Sequence, residues 1–332
     1  MRDPDFWWRK GSLAADLLAP LGYVYGAIAA RRMTKLGVRA AVPLICVGNF
    51  TLGGAGKTPT ALWLAKMLET AGEKPCCLSR GYGGSDAGPR LVDAHNDGAA
   101  QVGDEALLLA RVAPTIVSRD RVAGAQAARA TGASVIVMDD GLQNPSLTKD
   151  FTLAVVDGRR GIGNGRVFPA GPLRAPLDVQ IARCDALLHL GQDAGAEPMP
   201  TGAETLPVFH GRLMPDAAAL TALKGCNIFA FAGIGDPEKF FATLMQAGIP
   251  VTQRKAFDDH HRFSGEEAAE LVMQAEHEGL TLLTTEKDHA RMTGDPALAA
   301  LAERAQVLPV TLMVDEADEL RRLVLTKIAK RA

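Results

Sequence analysis

Six consecutive residues, Gly53-Gly54-Ala55-Gly56-Lys57-Thr58, carry the clearest chemistry in the chain. They follow the apolar run Leu44-Ile45-Cys46-Val47 and precede a helix-forming stretch, the strand–loop–helix setting that a phosphate cradle requires. Glycines let several backbone N–H groups converge on phosphate oxygens, and the helix N-terminus adds its dipole. Lys57 then bridges the β- and γ-phosphates, and the Thr58 hydroxyl ligates Mg²⁺. The common form of this loop has glycine where the chain has Thr51, and Gly53 and Gly54 supply the freedom instead. A Mg²⁺-bound nucleotide also needs a carboxylate at the carboxyl edge of a second strand. Val135-Ile136-Val137-Met138-Asp139-Asp140 offers it, with Asp139 or Asp140 holding the metal or its water. The pair of motifs predicts a nucleotide triphosphatase or kinase and leaves its acceptor open.

Further candidates are scattered along the chain. Gly103-Asp104-Glu105 opens a helix, where a carboxylate is either a cap or the base that takes a proton from an acceptor hydroxyl. Asp258-Asp259-His260-His261 lacks metal-ligand spacing, so a histidine that orients or tunes a carboxylate is the better reading. The segment Asp157 to Arg174 combines many glycines with Arg159, Arg160 and Arg174, a poor core but a good anion-contacting loop. Arg80, Arg119 and Arg121 also follow strand ends and are expected to face the same cleft.

The elements that must position these groups alternate regularly. Strands are expected at 44–47, 76–79, 115–117, 135–138, 153–156 and 186–190, with helices at 58–71, 105–112 and 121–130 between them. The strands are continuously apolar, which indicates a parallel sheet covered on both faces. The polar, Gly- and Pro-containing stretch 192–206 reads as a loop near a domain boundary. Beyond it come a strand at 228–232, helices at 237–247 and 265–277, strands at 282–284 and 307–314, and a closing helix from Glu316. The fold class is α/β: a phosphate-loop parallel sheet at 36–205 and a smaller α/β domain at 206–332 closing over the cleft.

A length of 332 residues favours two domains, and 47% hydrophobic with 22% charged residues excludes disordered and fibrous classes. The net charge of −2 provides no overall basic field for nucleic acid. Five cysteines, Cys46, Cys76, Cys77, Cys184 and Cys226, show no CxxC spacing and read as reduced thiols. Residues 1–35 hold Trp7-Trp8-Arg9-Lys10, an apolar stretch from Leu13 to Ala30 interrupted by Asp16, Pro20 and Gly22, and Arg31-Arg32. Aromatic and basic flanks of this kind suit a helix lying on an anionic membrane surface. A signal peptide or a core-packed helix is the competing reading.

Taken in order, these motifs resemble the tetraacyldisaccharide 4'-kinase family. The residues that carry the resemblance are Val47 to Pro59, Ser79-Arg80-Gly81-Tyr82-Gly83, Val102 to Glu105, Asp139-Asp140-Gly141-Leu142-Gln143 and the Arg160 to Arg174 loop. Ala232-Gly233-Ile234, Phe257 to Phe263 and Thr284 to Asp288 extend it through the second half. Leu142 replaces a residue often Phe there, and Ala175 one that is commonly acidic. The resemblance implies transfer of the γ-phosphate of ATP to the 4'-hydroxyl of a tetraacylated glucosamine disaccharide 1-phosphate at the cytoplasmic face of the inner membrane, giving lipid IVA. It implies Asp104 as catalytic base with His260 paired to it, and Lys57 on the transferred phosphate. It further implies the loop Thr51, Leu52, Gly53, Gly54, Ala55, Gly56, Lys57 and Thr58 on ATP, Gln143 beside the nucleotide, and Thr58, Asp139 and Asp140 on the Mg²⁺ side. Three rivals are a partner-regulated dimeric ATPase, which carries a lysine where this chain has Leu52, a soluble small-molecule kinase and a non-catalytic nucleotide-binding module.

Overall fold

The computed structural model describes residues 3–191, 200 and 202–330. The apolar runs form strands where expected: β1 (Leu44–Asn49), β2 (Pro75–Ser79), β4 (Thr115–Val117), β5 (Val135–Asp139), β6 (Phe151–Asp157) and β7 (Ala186–Leu190). A two-residue strand, β3 (Arg90–Leu91), and the longer β8 (Val208–Pro215) complete the first stretch of chain. Beyond them lie β9 (Ile228–Ala232), β10 (Val251–Ala256), β11 (Thr281–Thr285), β12 (Gln306–Leu308) and β13 (Val310–Val314). They build a nine-stranded sheet in the order β13-β8-β7-β6-β1-β5-β2-β4-β3 and a four-stranded sheet in the order β10-β9-β11-β12. The small sheet is parallel throughout, and in the large one only the edge pairs β3·β4 and β13·β8 are antiparallel.

Both faces of the large sheet are buried, which is why its strands read as unbroken apolar runs. Ile45, Val47, Val135 and Val137 point to one face, under Leu64 and Leu68 of the helix Lys57–Thr70 and Leu320, Val324 and Ile328 of the helix Ala317–Ala329. Leu44, Cys46, Ile136 and Met138 point to the other, under Ala125 and Ala128 of the helix Arg121–Ala130. All five cysteines are unpaired, as expected. Burial pushes the Cys46 and Cys76 thiols up to about 11, so they pack as small apolar groups.

Two expectations need correction. The boundary at 205/206 falls ahead of β8, which is a strand of the large sheet. The single strand expected at 307–314 is two: β12 pairs with β11 in the small sheet, and β13 pairs with β8 in the large one. Pro309 separates them, and a proline has no N–H to continue a ladder. Residues 217–308 therefore form the second unit, inserted between two strands of the first, with Leu220 and Leu223 packed in the core of the small sheet. The expected 192–206 loop lies outside the described residues at 192–199 and 201, and 202–206 is turn and coil.

The N-terminal expectation is also redistributed. Trp7 is buried, donates Nε1–H to the Pro169 carbonyl at 3.0 Å and meets Phe168 edge-on, while the Trp8 ring lies under the Arg160 guanidinium. The tryptophan pair thus pins the chain onto the 157–174 loop. The helix Leu13–Met33 follows. Gly22 and Gly26 let it approach that loop closely: a Cβ on Gly22 would stand 2.7 Å from the Val167 carbonyl oxygen. Leu13, Leu17, Leu21, Val24 and Ile28 remain exposed. By length and composition the helix could cross a bilayer.

Gly48 in β1 accommodates Leu142, whose Cβ would lie 2.4 Å from a Cβ at position 48. Gly48→Ala should therefore push the 139–143 segment off β1. The expected outcome is an unfolding free energy from urea titration lowered by about 1–3 kcal/mol together with weaker ATP binding. Unchanged values in both measurements would show that this packing does not hold the segment.

Candidate active site

β1 ends beside β5 with Val47 opposite Asp139, so the loop after β1 and the carboxylates after β5 meet at one sheet edge. Residues 51–56 form that loop, and the helix Lys57–Thr70 starts directly from it. Gly56 has φ +88, and a Cβ there would also strike Leu190 Cδ1 at 2.4 Å, so the position admits only glycine. The loop is braced from outside: Leu52 N–H donates to the Pro172 carbonyl and Arg174 Nε–H to the Thr51 carbonyl, both at 2.8 Å. Buried Lys57 donates to Asn49 Oδ1 at 3.2 Å and lies 3.8 Å from Asp140. Burial pushes its pKa down, against Asp140, which favours the charged form.

The two aspartates divide the work. Thr58 Oγ1–H donates to Asp139 Oδ2 at 3.2 Å, and Asp139 Oδ1 is buried without a partner. Burial and then the Glu105 charge push the Asp139 carboxyl up to about 7. Asp140, at φ 54, accepts from Arg174 Nη1 at 2.8 and 3.1 Å. Burial alone would raise it, but Lys57 and Arg174 hold it down at about 2. Among the described residues no cluster of three or more His, Cys, Asp or Glu could cage a metal. One hydroxyl beside one orphaned carboxylate oxygen instead fits a hard cation held mostly by phosphate oxygens and water. Gln143 lines the cavity, its Nε2 donating to the Asn49 carbonyl at 2.8 Å and to Gln180 Oε1 at 2.7 Å.

The opposite wall comes from the second unit. The cavity, about 640 Å³, runs from Tyr25 and Arg32 of the N-terminal helix past the phosphate loop to His260 and Lys287. His260 adopts φ 55, donates its backbone N–H to the Gly233 carbonyl at 3.0 Å and packs edge-on against Tyr82. Its Nδ1 faces Asp104 Oδ2 at 3.5 Å. Asp104 is 3% exposed and is not part of the cavity wall, so it stands behind the histidine. Burial would raise the Asp104 carboxyl, but the His260 hydrogen bond and the Arg291 and Lys287 charges hold it well below the ordinary range. His261 turns away, its Nε2 3.0 Å from Glu267 and its ring stacked on Phe257. The adjacent histidines are thus one site residue and one structural residue.

Sequence reasoning left several contributors without a role. Lys287 Nζ reaches Glu105 Oε1 at 2.6 Å across the units, and Arg291, one helical turn on, meets Asp104 Oδ2 through Nε at 2.7 Å. The i, i+4 spacing of Lys287 and Arg291 was the available signal. Arg80 and Arg121 line the cavity as expected, whereas Arg119 is outside its wall and donates to the Gly84 carbonyl. Arg121 is 2% exposed, with Nε and Nη1 unpartnered. Arg159 and Arg160 pair with Asp236, which caps the helix Pro237–Gln246 of the second unit.

The chain as a whole has known relatives. The family model described as tetraacyldisaccharide-1-P 4'-kinase matches residues 14–329. The tetraacyldisaccharide 4'-kinase of Nitrobacter winogradskyi is 52% identical over 332 residues, covering 99% of this chain and 98% of that protein. The enzyme of the same name from Methylobacterium sp. (strain 4-46) is 54% identical over 335 residues, covering 100% and 99%. Among solved structures, LpxK from Aquifex aeolicus, crystallised in complex with ATP, superposes with a TM-score of 0.76 at 27% identity, covering 95% of this chain and 100% of that one.

The depressed Asp104 carboxyl has a consequence for acid stability. A carboxylate with a folded pKa below its unfolded one stabilises the protein above the unfolded value, and that contribution is lost as pH falls through the folded one. Between about pH 5 and 3, urea midpoints of the native protein should fall more steeply than those of Asp104→Asn. Parallel curves would show that the carboxylate is not held by its cations.

Proposed function

The chain belongs to the tetraacyldisaccharide-1-P 4'-kinase family and is a kinase of lipid A biosynthesis, and from that premise we propose how its residues carry the reaction. The γ-phosphate of ATP is transferred to the 4'-hydroxyl of a tetraacylated glucosamine disaccharide 1-phosphate, giving lipid IVA. The observation that carries this reading is the cavity itself, with Lys57 and the phosphate loop on one side and His260, backed by Asp104, on the other.

The loop from Thr51 to Thr58 binds the nucleotide phosphates through its N–H groups, and Lys57 leaves Asn49 and Asp140 for the β- and γ-oxygens. Thr58 and Asp139 would hold Mg²⁺, with Asp140 kept on the same side of the site by Arg174, which engages both of its oxygens. When bound, Mg²⁺ neutralises charge on the phosphate oxygens. Gln143 braces the cavity wall next to the nucleotide. Arg121, with unpartnered donors in the same wall, supplies a further cation for phosphate oxygens. Asp104 and His260 manage the proton as a pair. A neutral imidazole with Nδ1–H toward Asp104 presents Nε2 as the acceptor for the 4'-hydroxyl proton, and the carboxylate then stabilises the imidazolium. On this reading His260 touches the acceptor and takes the proton, and Asp104, which the resemblance implied as the base, orients the ring and supports its charge.

The acceptor carries four acyl chains, so the catalyst must reach the leaflet that holds them. The exposed Leu13, Leu17, Leu21, Val24 and Ile28, between Arg9-Lys10 and Arg31-Arg32, supply the membrane-seeking face. The cavity opens beside Tyr25, Ala29 and Arg32 of that helix. The protein therefore works on the cytoplasmic surface of the inner membrane, peripherally or monotopically.

Labelled phosphate from [γ-³²P]ATP should appear in the tetraacyldisaccharide 1-phosphate in mixed micelles. Asp104→Ala and His260→Ala should each lower kcat about 10²–10⁴-fold with ATP affinity retained. ATP hydrolysis without labelled lipid would refute the acceptor, and full activity in both variants would refute the proton pair. In a separate assay the protein should float with anionic liposomes, and Leu17→Glu with Leu21→Glu should leave it at the bottom of the gradient. Flotation unaffected by the double substitution would sink the assignment of the membrane face.

A further inference from the structure

Asp104 and His260 belong to different units, and 3.5 Å is a loose contact for a carboxylate that must orient the imidazole and support its charge. Asp104 opens the helix Asp104–Ala110 of the large-sheet unit, and His260 lies in the loop after β10 of the small-sheet unit. The tight grip on Asp104 comes from Arg291, in the helix Glu286–Met292 of the small-sheet unit. Its Nε–H donates to Asp104 Oδ2 at 2.7 Å, and Nη2 makes an ion pair with the same oxygen at 2.6 Å. Nη1 donates to Asp288 Oδ1 at 2.8 Å and to the Gly233 carbonyl at 2.6 Å. That carbonyl also accepts the backbone N–H of His260 at 3.0 Å, and Gly233 N–H donates to Asp288 Oδ1 at 3.0 Å. One planar guanidinium therefore binds the carboxylate directly and the histidine's backbone through a shared carbonyl. Its side chain is 8% exposed and is not in the cavity wall, so it does not meet either substrate.

We propose that Arg291 is a positioning residue, which fixes the Asp104 carboxylate against His260 across the seam between the two units. The proposal rests on the reading of Asp104 and His260 as the proton-handling pair. A guanidinium suits the task because its fork is rigid and it keeps its charge when buried. Asp288, fully buried beside it, offsets that charge and fixes the fork's orientation.

The groups facing Asp104 determine what its removal does. They are Arg291, Lys287 and His260 as cations or donors, with Glu105 and Asp288 as anions, and Glu105 is itself paired to Lys287. Without Arg291 the Asp104–His260 pair loses its tightest cation while Glu105 and Asp288 remain, so the pair binds a proton more tightly. The acid limb of the rate profile must then move to higher pH.

The test is kcat against pH, with ATP and lipid acceptor saturating, for the native protein, Arg291→Met and Arg291→Lys, alongside ATP binding by titration. Arg291→Met should lose about 10–100-fold in kcat near neutrality and shift its acid limb up by about one unit. Its ATP dissociation constant should stay within about threefold of native, since no nucleotide contact is touched. Arg291→Lys should restore part of the rate and part of the shift, by returning charge without the fork. An acid limb at the native position in both variants overturns the proposal, whether or not the rate has fallen. Asp104→Asn is the control for the underlying reading. Native activity in that variant removes the proton pair and the inference with it, whereas an inactive Asp104→Asn beside a native Arg291→Met profile removes the inference alone.

Discussion

β1 and β5 lie side by side and parallel, with Val47 level with Asp139, and the geometry of the site descends from that pairing. Parallel neighbours put their carboxyl ends at the same edge. The loop leaving one strand and the acidic pair leaving the other then have no choice but to meet. Gly48 keeps them close, because only a residue without a side chain lets Leu142 pack against β1. From there Thr58 reaches Asp139, and Lys57 lies between Asn49 and Asp140. Nothing in this half of the site requires the second unit. The phosphate cradle is a local product of one strand pair and one helix start.

The other half is electrostatic. Several ionised groups are buried or half-buried around the cavity, and a charge withdrawn from water is tolerated only where it is paired. Asp140 is paired with Arg174, Glu105 with Lys287, and Asp104 with Arg291, which Asp288 balances in turn. Two of these pairs, Glu105–Lys287 and Asp104–Arg291, cross from the first unit to the second. The exceptions are informative: Asp139 Oδ1 and the Nε and Nη1 groups of Arg121 are buried with no partner. An orphaned acceptor and orphaned donors in one cavity are a pattern that a cation and phosphate oxygens would satisfy.

The sequence was most legible where one segment carries both the element and its chemistry. The glycine–lysine–threonine loop, the apolar strand ending in Asp139 and the strands of the parallel core are such cases, because their signals are local and periodic. Legibility failed where the answer depended on what comes from far along the chain. β8 has a mixed pattern of burial, characteristic of a strand near a sheet edge, and one of its two partners, β13, comes about a hundred residues later. Arg291 reads as a surface charge until the helix that bears it is laid against Asp104. Trp7 and Trp8 have the composition of a membrane belt, yet they are held by a carbonyl and an arginine of a distant loop. Their residue types suggest an interface, and only the three-dimensional arrangement shows that the interface is within the protein.

The return of the chain from the small sheet to the large one has a consequence for synthesis. Leu312, Leu320, Val324 and Ile328 share a core with Leu64 and Leu68, which leave the ribosome some 250 residues earlier. Until those late side chains emerge, one face of the nucleotide-binding sheet lacks part of its cover, although most of its strands already exist. The inserted unit meets no such delay, since β9 to β12 are all made before β13. The small sheet can close its own core first and wait beside an unfinished neighbour. The helix Ala317–Ala329 that completes this cover is made only after the whole of the inserted unit.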